Sequence, residues 1–170
     1  MFVVHGTRKF LDRADATAAA PSGSSTTKLG SRYATVLFWK PQIALFFNET
    51  TLLPVLIPLA PAASVIDRFP PALALTLDAH RINRSFIDRE VAEMTEHRLA
   101  KTVNRSAVGV MTEFAHLGAA YQSTHDVQDV VALSLRLAGT PCGPLYRRHV
   151  SPDRELAAFT TQHPNDHPAD

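Results

Sequence analysis

Between residues 32 and 59 the chain passes through three apolar, β-type runs split by short polar breaks, whereas from Pro70 onward its apolar residues recur at helical spacing. The first run, 33–39, ends at Lys40-Pro41-Gln42, and the second, 43–47, is closed by Asn48-Glu49-Thr50. That order predicts an antiparallel hairpin. A third run, 52–59, carries Pro54 and Pro58. Each proline removes a backbone donor, so this strand belongs at a sheet edge or follows an irregular path. A short strand at 2–5 adds to the β set, and 97–102 reads equally as a further strand or as helix. The expectation is an α+β domain over 1–160, with one small mixed or antiparallel sheet packed against several helices and a helical C-terminal half. Residues 161–170 lack an apolar anchor and are expected to fray.

The helices have readable ends. Pro70 and Pro71 open one that runs to about residue 80, with Leu73, Leu77 and Ile82 as its buried stripe. Ser85-Phe86-Ile87-Asp88 and Ser123-Thr124-His125-Asp126 fit capping boxes for two more. The longest pattern, 106–122, carries two apolar stripes, one through Val108, Met111 and Ala115 and one through Val110, Phe114 and Leu117. It is expected to be a central, well-buried helix. The helix after the Ser123 box carries Val127, Val130, Val131, Leu133, Leu135 and Leu137 and is stopped by Gly139, and Ser151-Pro152-Asp153-Arg154 starts a last one to about residue 160. The predicted core is Leu37, Ile43, Leu45, Phe47, Met111, Phe114, Leu117, Val130 and Leu133.

Composition closes off several classes. The 17 Lys and Arg against 16 Asp and Glu leave a net charge of +1, so any nucleic-acid-binding field must be local. One cysteine, Cys142, excludes an intramolecular disulfide framework. The first residues lack the basic start and long apolar run of a signal peptide, and the apolar stretch 52–66 is broken by three prolines. A cytoplasmic location with no membrane partner is the expectation. The arginine-, alanine- and proline-rich composition is that of a high-GC bacterial gene.

Several segments resemble a bacterial family classed as a domain of unknown function. They are Thr7-Arg8-Lys9-Phe10-Leu11, Leu29-Gly30-Ser31-Arg32-Tyr33-Ala34, Leu45-Phe46-Phe47-Asn48-Glu49-Thr50-Thr51, the run Ala100-Lys101-Thr102-Val103-Asn104-Arg105-Ser106 continuing to Met111, and Thr140-Pro141-Cys142-Gly143-Pro144. The likeness covers most of 1–160 and departs from the family pattern at Arg32 and Thr112. It implies no particular reaction.

The chemistry-bearing features are few. Residues 2–11 and 97–106 each read as a strand entering a basic, hydroxyl-bearing turn and then a helix. Such a junction offers free N–H groups and a partial positive charge to anions. Thr7, Arg8 and Lys9 would supply one contact set and Lys101, Thr102, Arg105 and Ser106 the other. Equally, Asn104 or Ser106 caps the long helix and the cations are solvated. Neither turn carries a phosphate-loop or dinucleotide-binding glycine pattern. No histidine pair has zinc-site spacing, and His163 with His167 lies in a proline-broken tail, so no metal and no cofactor are called for. Asp88, Glu90, Glu93 and Glu96 alternate with arginines and read as a solvated, ion-paired face. Asn48 and Glu49 form a polar pair at a strand end. Cys142 sits near Arg147, Arg148 and His149, which could activate a thiolate, although a lone cysteine also serves as a small buried hydrophobe.

The reading that follows is a non-catalytic binding module for a phosphate-bearing ligand, nucleic acid or nucleotide, at the two basic turns. One alternative is a protein-interaction or homo-oligomeric assembly subunit using an exposed patch in 36–47 or 52–66. Another is an enzyme using Cys142 or the Glu49 region.

Overall fold

The computed structural model describes residues 1–20, 23–124 and 129–163. Its centre is a five-stranded mixed sheet in the order β4-β3-β2-β1-β5. The strands are β1 (Phe2–Gly6), β2 (Arg32–Leu37), β3 (Ile43–Asn48), β4 (Pro54–Pro58) and β5 (His97–Lys101). β2, β3 and β4 form an antiparallel meander, as the polar breaks at 40–42 and 48–51 predict. β1 lies parallel to both β2 and β5. The helices are α1 (Arg8–Arg13), α2 (Phe69–Ala79), α3 (Arg84–Ala92), α4 (Arg105–Thr124), α5 (Val130–Ala138) and α6 (Pro152–Gln162). The fold is α+β with a helical C-terminal half.

Strand periodicity sends alternate residues to opposite faces, and both faces are covered. On one, Val4, Ala34, Val36, Phe46 and Ile57 meet Phe10 and Leu11 of α1, Phe69, Leu73 and Leu77 of α2, Phe86 of α3 and Leu156 of α6. Phe46 stacks on Phe69 at 4.4 Å and meets Phe10 edge-on at 5.4 Å. On the other face, Tyr33, Leu37, Leu45 and Phe47 meet Val110, Met111 and Phe114 of α4 and Leu133 and Leu137 of α5. The predicted core residues are all on this second face, with Leu117 and Val130 only partly buried. The larger first core escaped the sequence reading.

Three expectations change. α4 is not wrapped on all sides: Ala107, Val110, Met111 and Phe114 are buried, while Val108 is 44% exposed, so α4 lids one face of the sheet. The cap of α3 is Asn83, whose side chain accepts from the Ser85 amide, and not Ser85 itself. The apolar segments 36–47 and 52–66 are largely interior, although Phe38 is 54% exposed. β4 is an edge strand, but α5 runs along it and Ser134 Oγ accepts from the Leu56 amide, at 2.9 Å. A covered edge with proline at both ends offers little template for another chain. The expected capping box at Ser123 extends onto 125–126, and most of the expected frayed tail onto 164–170; both stretches lie outside the described residues. Among the described residues, no helix is long and apolar enough to cross a membrane.

Candidate functional site

β1 and β5 are parallel neighbours with Gly6 opposite Lys101, so the two basic turns leave from the same end of adjacent strands. They then diverge. α1 packs on the first face of the sheet and α4 on the second. Parallel strands whose following helices go to opposite faces leave a crevice at their carboxyl ends, the place where open α/β sheets take ligands. At these strand ends lies a cleft of about 640 Å³ on the α1 side, bordered by Gly6, Arg8, Asp12 and residues 16–18 and by Lys101 and Thr102, with no residue of α4 in its wall. Gly6 belongs there on steric grounds: a Cβ would stand 2.9 Å from the side chains of Phe10 and Leu11, which fold α1 tightly back on the strand.

The donors of the two turns are mostly spoken for. The Thr7 amide donates to Ala34 O at 2.9 Å, and its hydroxyl meets that of Thr35 at 3.0 Å. Thr102 donates through its amide to Gly6 O and through its hydroxyl to His5 O. Asn104 Oδ1 accepts from the amides of both Ser106 and Ala107, at 2.9 and 3.2 Å, and so caps α4. The expected free amides are therefore largely absent at the second turn. What faces the crevice is side-chain charge: Lys101 is exposed, and Arg8, 94% exposed, stands 3.8 Å from Asp12. A surface pair of that kind holds its partners weakly and leaves the guanidinium available to an anion.

The other expected site residues are spread over separate places. Lys9 lies over the Phe38 ring, beside a groove shared by Thr7, Thr35 and the middle of α4. Arg105 is exposed on the first turn of α4. Ser106 and Glu49 line a different cleft, together with Tyr33, Asn104 and Arg148. Asn48 is buried and locks its own turn: Nδ2 donates to Leu29 O, while Oδ1 accepts from the Leu53 amide and the Thr51 hydroxyl. Cys142 is 2% exposed, and burial, assisted by the Glu113 charge, pushes its thiol up to about 11. Arg148 and His149, which could have activated it, both bond Glu155 instead. An unreactive thiol removes the basis for a cysteine nucleophile. Among the described residues, no group of His, Cys, Asp or Glu side chains is arranged to hold a metal.

One buried carboxylate corrects the sequence reading and a second adds to it. Glu90 is 1% exposed and not part of a solvated face. It accepts from Arg32 Nη2 at 2.6 Å and from the Lys28 and Leu29 amides at 2.8 and 3.2 Å. Arg32 is fully buried; burial pulls its pKa below the ordinary value while Glu90 pushes it back. Glu155, 3% exposed, takes Arg148 and His149. Both had a signal in the sequence, because each occupies a stripe position otherwise filled by apolar residues: Phe86, Ile87, Glu90 on α3 and Pro152, Glu155, Leu156 on α6.

Neither the curated proteins nor the solved structures contain a match to the chain. A family model described as a domain of unknown function (DUF6933) matches residues 3–155, which is most of the sequence, and the chain belongs to that family.

Proposed function

We propose that this protein is a non-catalytic binding module that takes a phosphate-bearing ligand, nucleic acid or nucleotide, in the crevice at the carboxyl ends of β1 and β5. The supporting observation is the pairing of Gly6 with Lys101, which brings Arg8 and Lys101 to one cleft although 93 residues separate them. Contact is made by cationic side chains, with Thr7 and Thr102 fixing the two turns. Lys9 and Arg105 lie outside the cleft and contribute only to the longer-range field. Side-chain charge without a nest of free amides gives binding that is broad in specificity and steeply salt-dependent. A bacterial cytoplasmic setting agrees with the single buried cysteine, which needs no oxidising compartment.

The test is fluorescence anisotropy with a labelled single-stranded oligonucleotide and, separately, with a fluorescent ADP analogue. Both are run from about 50 to 200 mM salt. Arg8→Ala with Lys101→Ala weakens binding at least tenfold and flattens the salt dependence by about 0.7 per lost phosphate contact on the single strand. The probe bound more tightly separates a nucleic-acid role from a nucleotide role. Absence of binding to both probes, or an unaltered double variant, overturns the proposal.

A further inference from the structure

We propose a second binding site, of opposite charge preference, in the cleft between Glu49 and the start of α4: it takes a small molecule bearing an amine or amidine on an apolar body. The cleft holds about 210 Å³, room for one ring with a short polar head. Phe47, Leu52, Val110 and Leu145 supply apolar wall, and Asn104 and Ser106 a polar rim. A few polar groups converging on an apolar hollow is the usual make-up of a small-molecule site.

Glu49 is positioned before any ligand arrives. Its Oε1 accepts from the Ser31 amide at 2.8 Å. Gly30, at φ +74°, leaves the space the carboxyl group occupies: a Cβ there would stand 2.4 Å from Oε1. Among the described residues, Oε2 accepts no hydrogen bond, so a fixed carboxylate keeps one oxygen for a ligand donor. Arg148 is the other charged group on the wall, but its guanidinium is paired with Glu155. Buried Arg32 also attracts the Glu49 charge but is itself hydrogen-bonded to Glu90, so Glu49 is the carboxylate the cleft exposes, and a cationic donor is the complementary head group.

Leu52 gives independent support. It sits at φ +57°, a left-handed conformation that branched residues rarely adopt. The strain is held by the Leu52 amide donating to Asn48 O at 3.0 Å and by Asn48 Oδ1 accepting from Leu53. The outcome is a half-buried leucine facing the cleft next to Glu49. Strain maintained by a dedicated polar lock, at the wall of an open hollow, is the pattern of a built site.

The experiment uses the whole chain, isotope-labelled, with benzamidine as the probe and benzoate as its anionic counterpart, followed by amide chemical shifts. Benzamidine shifts resonances of 47–52, 104–110 and 145–148, and benzoate does not. Glu49→Gln, which keeps an oxygen for the Ser31 amide, weakens benzamidine binding at least tenfold with the remaining spectrum unchanged. Ser106→Leu, on an exposed helix position, narrows the cleft and weakens it as well. Equal binding of benzoate, shifts confined to other surfaces, or benzamidine binding undiminished in Glu49→Gln each overturns the proposal.

Discussion

Replacing Glu90 by glutamine removes one charge from a fully buried ion pair. The carboxylate accepts from Arg32 and from two backbone amides, with both side chains of the pair at 1% exposure or less. Glutamine keeps one acceptor oxygen but turns an NH2 group toward a guanidinium or an amide. Arg32 is then a buried cation that keeps the Gly30 carbonyl, the Phe69 ring face and a longer-range attraction from Glu49 but no ion-pair partner, and its Nε already lacks a hydrogen-bond partner among the described residues. Breaking a buried pair on one side costs about 3–5 kcal/mol. At about 2–4 °C per kcal/mol for a chain of this size, the melting temperature falls by about 6–20 °C. Urea titration followed through Trp39, the sole tryptophan, reads the loss directly. The control is Arg32→Met with Glu90→Leu. It strands the Lys28 and Leu29 amides but leaves no charge in the core, so it recovers a substantial part of the loss. A cost below about 1 kcal/mol for Glu90→Gln, or a double variant less stable than the single one, would refute this assignment of the energy to an unpaired buried charge.

Two further outcomes are expected. Cys142, with its thiol at about 11, resists a disulfide reagent at pH 8 in the native protein and reacts at once in denaturant. His80 has its Nε2 buried without a partner, and burial holds its pKa below 6.5 despite the Asp153 charge. The unfolded chain therefore binds a proton that the folded one refuses. Stability declines as pH falls through 6.5 and levels off below the folded pKa. His80→Gln removes that part of the pH dependence, as denaturation midpoints measured from neutral pH to pH 5 would record.

Local pattern carried the elements well and the architecture less well. The meander of β2, β3 and β4 follows from three apolar runs and two polar breaks, because antiparallel neighbours need only short turns. The parallel pairing of β1 with β5 spans some 95 residues, and nothing near Phe2 or His97 announces it. α4 illustrates the limit from the other side. Its two apolar stripes suggested burial all round, yet Val108 faces out, because alanine, glycine and valine are as tolerable on a surface as in a core. The site shows the same division. Arg8 and Lys101 could be singled out by residue type and by their place after a strand. That Ser106 lines a different cleft goes with Asn104, which spends its side-chain oxygen on two amides of α4 and so caps the helix itself.

The buried pair and the Glu49 cleft are parts of one polar relay. Glu90 holds the amides of Lys28 and Leu29; the Leu29 carbonyl accepts from Asn48 Nδ2 and the Thr50 hydroxyl; and the Ser31 amide donates to Glu49. Residues 28–31 thus carry the position of α3 across to the β3–β4 turn through hydrogen bonds, with the Leu29 side chain anchored in the core beneath them. Hydrogen bonds have narrow angular tolerance, so a chain of them transmits position better than an equal area of interchangeable methyl groups. A charged pair in the core offers little net stability over a hydrophobic substitute. Its presence here is better accounted for by what the relay fixes: a carboxylate at the rim of a hollow, oriented by the Ser31 amide.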